Sequence, residues 1–192
     1  MIQTHIKIYL ICMLILSAFS CRSIKETKAL QDCNFSIASI SNVTINGVSI
    51  DGKNSFRDLQ TQESVSISRA IMSRKIPVDL TTHISVHNPN SQTASLHKLD
   101  WMLLLKKESV ATGKITESYS IKANETISIP IHISTDIGSV LKTFSVKELK
   151  NMMFNLSSTS IPEEAELKIK PSIRVGSMNI QSPGFITVPM PQ

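Results

Sequence analysis

Ile76-Pro77-Val78-Asp79-Leu80-Thr81-Thr82-His83-Ile84-Ser85-Val86-His87 runs into Asn88-Pro89-Asn90 and decides the fold. Ile76, Val78, Leu80, Thr82, Ile84 and Val86 alternate with Pro77, Asp79, Thr81, His83 and Ser85. That period of two is a long strand with one face buried. Ile127, Ile129, Ile131 and Ile133 alternate as cleanly, and Pro130 places that strand at an edge or bulge, on the outward face. Leu99 to Leu105 is apolar on both faces, which marks a central strand. Val43 and Ile45, then Val48 and Ile50, flank Asn46-Gly47, a hairpin or equally a strand with a glycine bulge. Lys106-Lys107 reads as a turn. Ala165, Leu167 and Ile169 open a late strand that continues past Pro171 through Ile173 and Val175. The chain turns at Gly176-Ser177, returns through Met178 and Ile180, and ends with Phe185 to Val188. Several short strands with turns between them predict a mainly β fold, an antiparallel immunoglobulin- or fibronectin III-like sandwich.

Two segments break the period. Ile137, Val140, Leu141 and Phe144 follow Asp136, an N-cap residue, with helical spacing; Ser145-Val146-Lys147-Glu148 is then a capping box leading to Leu149, Met152, Met153 and Leu156. The spacing predicts a helical excursion over 136–158, with a break near Ser145. Over residues 57–74, Val65 and Ile67 alternate as in a strand, while Leu59, Ala70 and Ile71 form an amphipathic face; we read a helix ending before Pro77.

The first twenty residues carry an address. Lys7 supplies a positive start, Ile8 to Phe19 an apolar run, and Ser20 a small residue, which is the order of a secretory signal peptide. Ala18-Phe19-Ser20-Cys21 resembles the lipobox of bacterial lipoproteins, although Leu is commoner where Ala18 stands. The resemblance implies that Cys21 becomes the lipidated first residue of the mature protein, anchored to the membrane through its acyl chains. Two or more such chains hold a protein stably on a bilayer. Arg22 stands where an inner-membrane retention signal would need Asp, and no acidic run follows. The expected location is therefore the outer membrane of a Gram-negative envelope, on the periplasmic face. Residues 21–33 read as lipidated Cys and tether, and 34–192 as a single domain. Cys12 leaves with the signal, so Cys33 alone remains and no intramolecular disulfide is expected.

Net charge is +5, but the cations are scattered, with one Trp and two Tyr among them. A nucleic-acid surface would gather them on one face, so no nucleic-acid partner is expected. His83 and His87 lie about 13 Å apart if extended, too far to share a metal. No Gly-x-Ser-x-Gly elbow or glycine-rich phosphate loop occurs. Cys33 has no His nearby in sequence, and Glu163-Glu164 follows Pro162 in a loop. We therefore expect no catalytic residue, no metal and no cofactor.

The order His83-Ile84-Ser85-Val86-His87-Asn88-Pro89-Asn90, then Leu99-Asp100-Trp101-Met102-Leu103-Leu104, a strand near Gly113, and an Ile121-to-Thr126 turn feeding the Ile127–Ile133 strand resembles the LEA type 2 (late embryogenesis abundant, water-stress-and-hypersensitive-response) family. Lys170-Pro171-Ser172-Ile173-Arg174-Val175-Gly176 fits its bacterial lipoprotein form. The match spans residues 43–188 and is strongest over 76–136. The resemblance implies a β-sandwich without enzymatic activity and a role in stress tolerance and membrane-associated interactions. Independently of it, Pro89 ends the strand, Asn88 is biased to an extended backbone, and Asn90 tolerates a left-handed one, so Asn88, Pro89 and Asn90 read as a structural turn. The function expected is a lipid-anchored, monomeric binding or structural module, with an envelope protein as a possible partner. The alternatives are a stress-protective protein acting on membranes or unfolding clients and, more distantly, a hydrolase with a site built from loops.

Overall fold

The computed structural model describes residues 29–138, 148, 154, 165–175 and 178–189. The signal peptide, Cys21, most of the 136–158 excursion, Glu163-Glu164 and the Gly176-Ser177 turn lie outside these residues. Strands β1 (Asn34–Ile45) and β2 (Val48–Ser49) lead to helix α1 (Thr61–Ser73). Then follow β3 (Pro77–His87), β4 (Ala94–Leu96), β5 (Lys98–Leu105), β6 (Glu108–Ile115), β7 (Tyr119–Ile121), β8 (Thr126–Asp136), β9 (Ala165–Val175), β10 (Met178–Gln181) and β11 (Ile186–Thr187).

Two antiparallel sheets make the sandwich. One has the order β2-β1-β3-β8 and the other β10-β9-β5-β6, with β11 also on β9; β4 and β7 form a separate ribbon. The alternation in β3 divides as its side chains require. Val78, Leu80, Thr82, Ile84 and Val86 are buried against Ile37, Ile129, Ile131 and Ile133. The opposite face carries Asp79, His83, Ser85 and His87 beside Ser134, Pro130, Ser128 and Thr126 of β8. β8 is an edge strand and Pro130 lies exposed on it, as its missing N–H demands. β5 is central, between β6 and β9.

Turn chemistry resolves the glycine ambiguity at Asn46-Gly47. Ile45 pairs with Val48, and both loop residues have positive φ (48° and 76°), so this is a two-residue type I′ hairpin. Lys106 and Lys107 make the same turn between Leu105 and Glu108, at φ 49° and 69°. β9 changes partners at Pro171: β11 pairs with Lys168 and Ile169, β10 with Ser172 to Val175. The proline thus sits where the second edge has no continuous ladder.

Residues 57–74 are helical only from Thr61. Asp58 closes a 3-10 turn (Phe56–Asp58) by accepting from the N–H groups of Asn54 and Ser55, and Leu59 returns to an extended backbone before α1 begins. Leu59 is buried ahead of the helix rather than on its face. Arg74 ends α1 in the left-handed conformation, before Pro77. The end of the segment read as tether belongs to the fold: residues 29–31 are helical, and Ala29, Leu30 and Cys33 join the core. Their apolar side chains have a cluster to enter, which a polar linker would not.

Candidate binding site

Asn88 is fully buried at the end of β3. Its amide nitrogen lies 2.8–2.9 Å from the carbonyl oxygens of Gln92, Ile121 and Lys122, and its Oδ1 accepts from the backbone N–H and the side-chain amide of Asn90. Asn90 in turn donates to the Ala29 carbonyl at 2.9 Å. The Asn88-Pro89-Asn90 turn therefore fastens three chain regions: the β3 exit, the turn before β8, and the segment at Ala29. Every polar atom of the Asn88 side chain is occupied by protein.

Among the described residues, the chemistry-bearing side chains are not gathered. Among the described residues, no three His, Cys, Asp or Glu side chains are placed to hold a metal ion. His87 Nδ1 lies 3.0 Å from Thr126 Oγ1, His132 Nδ1 3.0 Å from Thr81 Oγ1, and His97 Nδ1 2.8 Å from Ser118 Oγ. None of these imidazoles has a carboxylate hydrogen-bonded to its second nitrogen among the described residues, so nothing orients a ring as a general base. Cys33 is buried, and its thiol donates to the Ala29 carbonyl at 3.2 Å. Burial, with a smaller contribution from the negative charge of Asp32, pushes this thiol from 9.0 up to about 11. A neutral thiol held this way is a poor nucleophile.

What the fold does build is a groove. The start of β1 and the β9–β10–β11 side of the other sheet diverge, leaving about 1200 Å³ between them. Leu30, Cys33 and Phe35 line one wall; Pro171, Ile173, Ile180 and Ile186 line the other. Gln31, Asn34, Ser36, Gln181 and Ser182 supply polar atoms along it. Ile37 N donates to the carbonyl of Pro189, itself a lining residue, at 3.0 Å. At about 1200 Å³ the groove is wider than an ordinary small-molecule pocket, and its lining is mostly apolar with polar groups along it. Sequence reading missed it, because its walls come from segments some 140 residues apart and period two alone does not show where two sheets part.

Among the described residues, no helix is long and apolar enough to cross a membrane. No protein-family model matches the chain, and no curated protein does. Among solved structures, the chain is similar to a protein from Archaeoglobus fulgidus, at 12% identity over 79% of this chain and 94% of that one, TM-score 0.38. It is similar to a protein described as late embryogenesis abundant, at 14% identity over 95% of this chain and 88% of that one, TM-score 0.39. A protein from Arabidopsis thaliana is a third, at 18% identity over 81% of this chain and 83% of that one, TM-score 0.35. The antiparallel sandwich assigned above rests on this chain's own strand pairing.

Proposed function

We propose that the chain is a non-catalytic, lipid-anchored envelope protein that acts as a binding module, held to the outer membrane on its periplasmic side. The observation that carries this reading is the apolar stretch running into Ser20-Cys21, eight residues ahead of Ala29, which is already part of the core. An acyl-modified Cys21 would hold the sandwich close to a bilayer through a short polar link. The groove beside Leu30 supplies the surface on which an apolar segment of an envelope protein would be received. The test is replacement of Cys21 by Ser with membrane fractionation, together with cross-linking in intact cells. The reading expects the parent in the membrane fraction and the variant released or left unprocessed, with one envelope protein recovered near stoichiometric yield. A parent that is soluble after signal removal sinks the anchor. Recovery of lipid alone favours the stress-protective role instead.

A further inference from the structure

We propose that the outer edge of β10 pairs with the same edge of a second copy of this chain, about a two-fold axis that passes beside Ile180. This rests on the binding-module reading above and names the protein bound, where the sequence alone suggests a monomer. β10 is the outermost strand of its sheet, in the order β10-β9-β5-β6. Its register on β9 sets Asn179 opposite Arg174, Ile180 opposite Ile173 and Gln181 opposite Ser172. Ser182 N donates to the Pro171 carbonyl at 2.9 Å, so the bonded pairs fall at 182 and 180. In an antiparallel ladder these alternate with residues whose N–H and C=O point away, here Asn179 and Gln181. No described residue bonds their outward backbone groups. The Gln181 side chain lies on the outer face, donating to Asp100 Oδ2 at 2.6 Å, while Ile180 lines the groove with Ile173.

The other outermost strands of the two sheets are defended against such pairing. β2 has two residues, β8 carries Pro130, and β6 carries Glu108 and Lys114. Met178-Asn179-Ile180-Gln181 has neither charge nor proline. Self-complementarity names the occupant. With Ile180 opposite Ile180 of the second copy, Asn179 meets Gln181 and Gln181 meets Asn179, so every outward N–H and C=O on both edges is bonded. The two isoleucines form the non-bonded pair at the axis, with Cα atoms about 4.5 Å apart, on the groove face. Ile180 is 46% exposed in the single chain, and there its side chain gains an apolar neighbour. Asn179 and Gln181 are uncharged, so no like charges meet, and the contact is isologous and closes at two copies. The paired edge is short, so association is weak in free solution and stronger where an anchor confines the copies to one surface.

The test oxidises membranes carrying the full chain with copper phenanthroline and reads the dimer on a non-reducing gel. Ile180→Cys and Met178→Cys are compared, with the parent giving the background of the native cysteines. A disulfide needs Cα atoms within about 7 Å, which the axis provides at 180 and denies at 178, since Met178 stands opposite Ser182 of the second copy. Met178 is the more exposed at 65%, so chance collision would favour it instead. The proposal expects about fivefold more dimer at 180 than at 178. Adding Asn179→Pro removes an outward N–H but no bond to β9, and should abolish the excess with a melting temperature within about 3 °C of the parent. Equal or greater yield at 178, or a dimer at 180 that survives the proline, overturns the proposal. Run on the purified Cys21→Ser chain at about 1 mM, the same comparison reads the edge whether or not the anchor holds. Position 180 linked in cells to a different protein overturns the second copy while leaving the binding module standing.

Discussion

Thr82 occupies a position in β3 that alternation assigns to the core, and it is only 2% exposed. Its hydroxyl finds no hydrogen-bond partner among the described residues. A buried hydroxyl without a partner costs about 1 kcal/mol or more, and Val has nearly the same shape and a higher affinity for a strand interior. Thr82→Val should therefore stabilise the fold by about 1 kcal/mol, raising the melting temperature by roughly 3 °C; a lowered midpoint would show that the hydroxyl is bonded. Cys33 makes the opposite case, a polar atom made inert. With its thiol pushed up to about 11, its alkylation by iodoacetamide at pH 8 should be about 100-fold slower in the folded chain than in urea, read on the Cys33 peptide. The linked stability has a definite sign. The unfolded thiol ionises near 9.0 while the folded one stays protonated, so stability falls as pH rises from about 9 to about 11. Cys33→Ala should abolish that part of the pH slope. Burial of Thr82 followed from the residue pattern alone. Burial of Cys33 did not, because one apolar residue beside a polar stretch has no period.

At the scale of elements, the long alternating strands were legible; the β4–β7 ribbon, the first half of β1 and the helix limits were not. β3 carries five alternating core positions and β8 four alternating isoleucines, whereas the start of α1 depends on one carboxylate. Glu63 Oε2 accepts from the Gln60 N–H at 2.8 Å and from Lys53 Nζ at 3.0 Å. The Gln60 N–H, followed by the Lys53 side chain, holds the Glu63 carboxyl below its ordinary 4.5. A lowered carboxylate contributes stability that is present above its ordinary value and lost as pH falls through the folded one. Glu63→Gln should therefore melt below the parent at pH 7, and the gap should close as pH drops below 4.5; a constant gap would mean that the charge is not what caps the helix. Turns were legible at both hairpins, although Asn46-Gly47 left a glycine bulge equally open. Lys106-Lys107 shows the same turn built from residues that dislike it, since a left-handed backbone costs an ordinary side chain about 1–2 kcal/mol. Glycine at that φ removes the clash at some entropic cost, so Lys107→Gly should gain roughly 0.5 kcal/mol in urea unfolding. Gly113 is the converse. It faces Trp101 across the β5–β6 pair, and a side chain there would run into the indole. Gly113→Ala should cost about 2 kcal/mol, visible as a red-shifted emission of the single tryptophan.

Across the whole molecule, the Asn88-Pro89-Asn90 turn links the sandwich to the segment that leads back toward Cys21. A turn was readable from the residue types, but its reach to Ala29, some 60 positions earlier, was not, since a hydrogen bond to a backbone carbonyl leaves no mark on sequence composition. The two asparagines should separate experimentally. Asn88→Ala removes a fully buried donor from the carbonyls of Gln92, Ile121 and Lys122 and should cost about 3 kcal/mol of global stability. Asn90→Ala takes away the bond to Ala29 from a partly exposed position and should cost only about 1 kcal/mol. Its larger effect is local. Ala29 also accepts the Cys33 thiol, and Leu30 and Cys33 form one wall of the groove, so freeing Ala29 loosens that wall while both sheets stay paired. Asn90→Ala should therefore raise Cys33 alkylation at pH 8 at least tenfold while its melting temperature drops by only about 3 °C. Alkylation that rises only in proportion to global unfolding would mean that the groove wall opens with the sandwich and not before it, and the segment around Ala29 would then be as rigid as the core.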